Sequence, residues 1–319
     1  MPDARRLRRL AEELEESGLP RRGGGPQRAL LLEEIVHALR PAVHERHVPS
    51  TGTIVDPRAD PSSWALRTQL DITRGAVVRH TLDASRRFAD GLSSWLLRRS
   101  DGPGDEWVLF DRPAGSERDL VVLADVFDAT IVQRHPTGVV RVVGSFGVLR
   151  FEGLAWHHEP PVAAWIETVT ADAFTGDRDV VEAMLRLAVH DLGSLGIGAL
   201  LLYRPEGDTA IPFEERLPTP PPLRIRTASH LAPMRHALAQ VDGAAVFDAE
   251  GVLRHLGVLL LPSPDAETAV ETVGGTRHTF GLRYSHDDPS TTVIAVSEDG
   301  PVSVMRHGQV LARPQPVSS

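Results

Sequence analysis

The spacing of apolar side chains changes character twice along this chain. Leu7, Leu10, Ala11 and Leu14 recur at three- and four-residue intervals among Arg5, Arg6, Arg8, Arg9 and Glu12, Glu13, Glu15, Glu16. That pattern predicts an amphipathic helix whose solvated face carries balanced charge. Gly23, Gly24, Gly25 and Pro26 break it, and a second helix over 30–39 ends at Pro41. From about residue 50 to 172 the apolar runs shorten and alternate, so 65–72, 120–127, 130–133 and 139–151 read as strands between Gly, Pro and Asp turns. Within them 84–98 carries Phe88, Leu92, Trp95 and Leu96 on one face at helical spacing and is predicted as a helix. The result is an α+β N-terminal domain.

After Phe174-Thr175-Gly176-Asp177, which has turn chemistry and a helix-capping signal, the pattern becomes longer and more apolar. A helix over 180–192, a continuous apolar strand over 197–203, a helix over 229–240 and short buried strands at 244–247 and 292–298 follow in order. Residues 212–222 hold Pro218, Pro220 and Pro221 and read as a surface loop. A domain boundary is therefore expected near residue 175, dividing the chain into 1–175 and 176–319. Helices alternating with buried strands make the fold class of this second part α/β, preceded by the α+β domain.

The chain has no cysteine, which excludes disulfides, thiolate metal sites and cysteine nucleophiles and is compatible with a cytoplasmic location. Its formal charge of −9 argues against a broad nucleic-acid-binding face. The longest apolar runs, such as 197–203, fall far short of the roughly 18 residues of a spanning helix, so no membrane partner is expected. His44 and His47, and the adjacent His157 and His158, invite a metal reading, but two ligands alone do not make a site, and surface or interface roles are expected for them. Trp156 and Trp165 are expected in cores or at a domain interface.

Chemistry concentrates between residues 242 and 298. Asp242 stands at the mouth of a short buried strand, a good position for a metal ligand, and Gly243 permits close backbone approach or a positive φ. Gly274, Gly275 and Thr276 form a turn opening onto a helix, with Thr276 as its cap and Arg277 and His278 in its first turn. A helix start offers unpaired N–H groups to phosphate, Arg277 adds a charge-assisted contact, and His278 can ligate a divalent metal or donate to phosphate.

The order Asp242-Gly243-Ala244, Gly275-Thr276-Arg277-His278, Ser297-Glu298 resembles the diadenylate cyclase domain, the nucleotide-binding domain of DNA integrity scanning protein and its relatives. The resemblance spans about 178–312. In it 251–262 corresponds to a hairpin and an apolar wall near adenine, and 292–298 to a strand contacting nucleotide. It implies a mixed central sheet flanked by helices, and that two ATP molecules are joined into cyclic di-AMP across a face-to-face homodimer or higher homo-oligomer, with Mg²⁺ or Mn²⁺. It further implies that Asp242 and His278 bind the metal, that Asp242, Arg277 and His278 are catalytic, and that Gly243, Ala244, Leu261, Gly275, Thr276, Arg277, Ser297 and Glu298 contact nucleotide. The N-terminal domain would be a sensor of unknown ligand. No counterpart of the DNA-binding helical region of the integrity-scanning relatives follows residue 312, and nucleic acid is not expected as a partner. One stretch departs from the family: Thr279 stands where most members carry a second arginine, and the small residues that follow have become Phe280 and Gly281. Losing one charged hydrogen bond costs roughly 1.5–3 kcal/mol, a slowing of about ten- to a hundredfold. The alternative is a weakly active or inactive receptor that binds nucleotide without turnover.

Overall fold

The structure is a computed structural model and describes residues 4–21, 25–77, 82–101, 104–171, 174–206, 213–272, 275–298 and 302–312. Gly23, Gly24 and Gly274 lie outside the described residues. The chain divides into two compact units after Pro161.

In the N-terminal unit α1 (Ala4–Glu16) and α2 (Gly25–Leu39) precede β1 (Thr51–Val55), α3 (Trp64–Thr68), β2 (Ile72–Ala76), α4 (Leu82–Ser85), β3 (Ser94–Arg98) and β4 (Glu106–Phe110). Then come α5 (Glu117–Phe127), β5 (Thr130–Arg134), β6 (Val140–Gly144), β7 (Gly147–Glu152) and β8 (Ala155–Glu159). The described strands form one eight-stranded sheet in the order β2-β4-β3-β1-β5-β6-β7-β8. Only β1 and β3 pair in parallel. Both faces are covered. Ile54, Trp95, Leu97, Ile131 and Val143 pack with α3 and α5, while Val55, Val132, Val142 and Leu149 pack with α1 and α2.

Three local expectations are corrected here. Residues 120–127 belong to α5, because Ser116 and Asp119 form a reciprocal capping box and Leu120, Leu123, Ala124 and Phe127 fall on one buried face. Residues 65–68 belong to α3, which ends at Gln69 in a left-handed conformation, and Ile72 opens β2. Residues 84–98 do not form one helix. The Asp90 carboxylate accepts the N–H groups of Leu92, Ser93 and Ser94, an Asx-type turn that ends the helical stretch and starts β3. Of the paired histidines, His44, His47 and His157 are exposed, the backbones of His44 and His47 bond each other, and His158 Nε2 lies 2.8 Å from the Phe146 carbonyl.

The C-terminal unit contains α6 (Val162–Val169), α7 (Arg178–Arg186), β9 (Ala199–Tyr203), β10 (Phe213–Glu214), α8 (Ala228–Gln240), β11 (Ala244–Phe247) and β12 (Leu253–Leu260). It continues with α9 (Pro264–Ala269), α10 (Thr276–Asp287), β13 (Thr292–Val296), β14 (Val302–Arg306) and β15 (Gln309–Ala312). The helix α6 belongs here because Val162, Trp165, Ile166 and Val169 are buried among Val180, Val181 and Met184. The sheet order is β10-β12-β11-β9-β13-β14-β15, with β9 and β11 parallel and the remaining pairs antiparallel. Because helices cover both faces, the central strands are apolar at every position. Leu201, Tyr203, Ala245 and Phe247 face α7 and α8, while Leu200, Leu202, Ala244 and Val246 share a core with Leu282 and Tyr284 of α10. Among the described residues no helix is long and apolar enough to cross a membrane.

Charge is buried in the N-terminal unit. Arg150 forms two hydrogen bonds to Glu117, at 2.7 and 2.6 Å, and stands 3.6 Å from Glu159, whose Oε2 has no hydrogen-bond partner. Burial pushes the Glu159 carboxyl up to about 7, against the pull of Arg150 and with the help of anionic Glu117. The folded unit therefore holds this proton more tightly than the unfolded chain, where the value is near 4.5. Its stabilising contribution is complete below about pH 4.5 and is lost as the pH rises through about 7. Glu159→Gln is expected to remove this loss. In urea unfolding, the wild-type midpoint should fall relative to that of the variant between pH 5 and pH 8, and a constant difference across that range would count against a protonated Glu159.

Candidate active site

The site is built where the start of β11, the end of β12 and the first turn of α10 converge. A chain leaving α8 reaches β11 through Asp242 and Gly243, and the side chain of Asp242 is 95% exposed at the strand mouth. Gly243 has φ +104°, and a Cβ there would sit 2.7 Å from the carbonyl carbon of Gly257. Only glycine satisfies both the left-handed backbone and that contact. The β11–β12 pairing is irregular on either side of Val246, which bends the two strands at the same place.

Across the gap, Gly275 is the cap of α10, with extended backbone and no side-chain capping bond, so Thr276 is the first helical residue instead of the cap expected from sequence. Gly275 itself contributes no side-chain cap to the first turn, and the positive end of the helix dipole faces the same opening. Arg277 projects from this turn. Its Nη1 donates to Glu298 Oε1 at 3.1 Å, and its Nη2 stands 3.8 Å from Asp242 Oδ1. Both carboxylates are well exposed, so these pairings are weak and open to exchange for an anion.

The cleft holds about 140 Å³ and is lined on its apolar side by Leu200, Val258, Leu259, Leu260 and Phe280, and on its polar side by Asp242, Gly243, Thr276, Arg277 and Arg216. Ala244 also lines it, buried. Pockets that enclose a whole small ligand measure roughly 300–1,000 Å³. This cleft is therefore too small to enclose a whole small ligand, and it opens onto an exposed charged rim.

Glu298, Ser297, Leu261 and His278, also singled out from sequence, are not among the residues that line the cleft. Glu298 reaches it through Arg277; Ser297 is half-buried just after β13 and does not line it. Leu261 lies one residue past β12 and is 42% exposed, with Val258 to Leu260 forming the wall in its stead. His278 is half-buried in the first turn of α10. Thr279, the departing position, is buried at 7% exposure, whereas its neighbour Phe280 lines the cleft.

Sequence reasoning overlooked three contributors. Gly198 precedes β9, and a Cβ on it would lie 2.4 Å from Arg277 Nη1 and 2.8 Å from Glu298 Cγ. A glycine directly before an all-apolar strand is a recognisable mark of close approach. Phe280 was visible only as a departure from small residues. Arg216 carried no local signal, because a long-range strand pairing brings it here.

Residues 187–310 match the family described as DisA bacterial checkpoint controller nucleotide-binding, DAC. Residues 187–310 are a DAC domain. Ahead of the DAC domain, residues 8–159 match the family described as Probable sensor domain DACNK. A crystal structure titled the hypothetical membrane spanning protein from Bacillus cereus is similar at 20% identity with a TM-score of 0.32. That likeness covers 41% of this chain and 62% of the other, less than two thirds of its length. No curated protein matches the chain.

Among the described residues of the DAC domain no cluster of three or more His, Asp and Glu side chains is arranged to hold a metal ion. A hard divalent cation does not require one. Mg²⁺ is commonly held by one or two carboxylates together with substrate phosphates and water. The exposed Asp242 carboxylate at the rim fits that partial donor set.

The space left by Gly198 gives a direct test of the cleft. Gly198→Ala would push the flexible end of Arg277 away from Glu298 with little strain on the core. The melting temperature of the free protein is expected to move by less than about 2 °C, the size of a surface perturbation. ATP affinity, measured by calorimetry, should weaken by about tenfold, the effect of a displaced charged contact. Undiminished affinity would show that the space Gly198 leaves for the Arg277 guanidinium does not serve the ligand.

Proposed function

We propose that this DAC domain is a diadenylate cyclase that condenses two ATP molecules into cyclic di-AMP and two pyrophosphates. The observation that carries the reading is the meeting, at one cleft, of an exposed carboxylate, a glycine-led helix start with an arginine, and an apolar wall. These are the complementary surfaces for a 3′-hydroxyl, a triphosphate and a purine base.

In this reading adenine lies against Leu200, Val258, Leu260 and Phe280, and Gly243 and Ala244 let the backbone come close to the ribose. Gly275, Thr276 and Arg277 hold the triphosphate through first-turn N–H groups, a hydroxyl and a guanidinium. Arg277 exchanges Glu298 for phosphate, and Glu298, with neighbouring Ser297, borders the bound nucleotide. Leu261 contributes at most a backbone contact at the edge of the wall. Asp242 and His278 would hold Mg²⁺ or Mn²⁺ together with the phosphates, and the ion when bound supplies neutralisation of charge at the α-phosphate.

Each ring closure forms a bond between a 3′-oxygen and an α-phosphorus and breaks the bond from that phosphorus to the bridging oxygen of pyrophosphate. The 3′-hydroxyl passes its proton to Asp242, which also orients that hydroxyl from the rim and returns the proton to solvent. Catalysis then consists of positioning and charge stabilisation. Two such bonds are needed, so two cleft rims must face each other in a homodimer or higher homo-oligomer. The small volume and exposed polar rim suit a site completed by a second copy. The DACNK domain is the regulatory partner in this scheme, with a ligand of its own.

A second reading draws on Thr279. Buried and uncharged, it supplies no phosphate contact of the kind an arginine gives, and a receptor that binds nucleotide without turnover would tolerate it. The two readings separate in one experiment. Purified protein with ATP and Mg²⁺ or Mn²⁺ is expected to yield cyclic di-AMP by mass spectrometry, and Asp242→Ala to lower the rate by at least about a hundredfold, the scale of a lost charged contact in the transition state. Retained ATP binding with no product under either metal would leave the receptor.

A further inference from the structure

Arg216 is an arginine of the cleft that neither its sequence context nor the family matches single out. It follows β10, a two-residue edge strand, in a stretch that reads from sequence as surface loop. Several contacts fix that stretch. Phe213 and Glu214 pair with Leu260 and Leu259 of β12. The ring of Phe213 meets His255 edge-on at 5.0 Å and lies under the guanidinium of Arg204 at 5.7 Å. Glu215 stands 3.2 Å from His255 Nδ1. On the other side of Arg216, Leu217 fills the space beside Gly257, where a Cβ would come within 2.9 Å of Leu217 Cδ1. Arg216 is therefore held between two anchored neighbours at the wall of the cleft.

Its charge is not committed elsewhere. The one ion pair recorded for Arg216 among the described residues is to Glu214 at 3.9 Å, with both side chains more than half exposed. Such a contact is worth little and is readily given up. The same cleft presents Thr276 and Arg277 from the opposite element, so a ligand bound there meets guanidinium groups from two directions. A guanidinium is suited to this task because its fork of donors matches phosphate oxygens in a plane.

We infer that Arg216 is a phosphate-binding residue of this site, closing on the phosphate chain of the bound nucleotide from β10 while Arg277 holds it from α10. The inference rests on the cleft being a nucleotide site and does not need turnover. It also accounts for how the site carries two arginines although position 279 is threonine.

The experiment compares binding of α,β-methylene-ATP, which cannot release pyrophosphate, with binding of adenosine, by calorimetry in Mg²⁺, for wild type, Arg216→Ala and Arg216→Lys. Arg216→Ala should weaken the triphosphate by about ten- to a hundredfold, as expected for a lost charged hydrogen bond, and leave adenosine within about twofold. Arg216→Lys should recover part of the loss, since it keeps the charge without the fork. The residue is exposed and makes no core contact, so an unchanged melting temperature verifies folding. An unchanged ratio of triphosphate to adenosine affinity in Arg216→Ala overturns the inference, as does a wild type that binds the two alike. Absence of cyclic di-AMP with the ratio collapsed in Arg216→Ala would sink the cyclase reading and leave this one standing.

Discussion

Gly243 and Gly257 lie back to back where β11 meets β12, and neither has room for a Cβ: one at Gly243 would strike the carbonyl carbon of Gly257, and one at Gly257 would strike Val241 and Leu217. Both have positive φ. This close backbone approach lets the two strands bend together at the cleft, with Asp242 turned outward on one side and Val258 to Leu260 forming the wall on the other. The position of Leu217, and so of Arg216, depends on the same missing side chain. A third glycine, Gly198, makes the corresponding space on the far side for the Arg277–Glu298 pair. The site is shaped by absent side chains as much as by the charged ones that line it.

The polar economy of the two units differs. In the DAC domain the charged groups of the cleft are exposed and loosely paired, which suits groups that must exchange one another for a ligand. In the N-terminal unit charge is buried and densely bonded. Glu34 accepts from both Arg86 and Arg98, at 2.6 and 2.5 Å, and also from Thr53. Glu117, Arg150, Arg141 and Glu159 form a second group. Breaking one member of such a group typically costs about 3–5 kcal/mol because its partner stays buried without compensation. These networks fix the arrangement of the sheet and its helices, and Glu159 makes one of them sensitive to pH near neutrality.

Much of this was legible in the sequence where local chemistry and tertiary context agree. The helix after Thr227, the buried strands β9, β11 and β13, and the motif residues Asp242, Gly243, Thr276 and Arg277 all declare themselves by period, glycine and charge. The failures have physical causes. Leu120 to Phe127 holds a short apolar run that suits strand or helix equally, and the Ser116–Asp119 box decides it. The 84–98 stretch has helical spacing, but Asp90 captures three consecutive N–H groups and ends the helix. Leu261 falls one residue outside the wall because strand ends are set by pairing and not by composition. Arg216 was invisible, since a two-residue strand has too little sequence to signal and its position comes from β12.

The central claim is that one nucleotide lies with its base on the wall of Leu200, Val258, Leu260 and Phe280 and its phosphates at Thr276 and Arg277. The most direct measurement is a crystal structure of the chain grown with α,β-methylene-ATP and Mg²⁺. The account predicts electron density for the base against that wall, with the Arg277–Glu298 pair opened and Arg277 turned to phosphate. A nucleotide bound elsewhere, or one whose phosphates leave that pair closed, would contradict it.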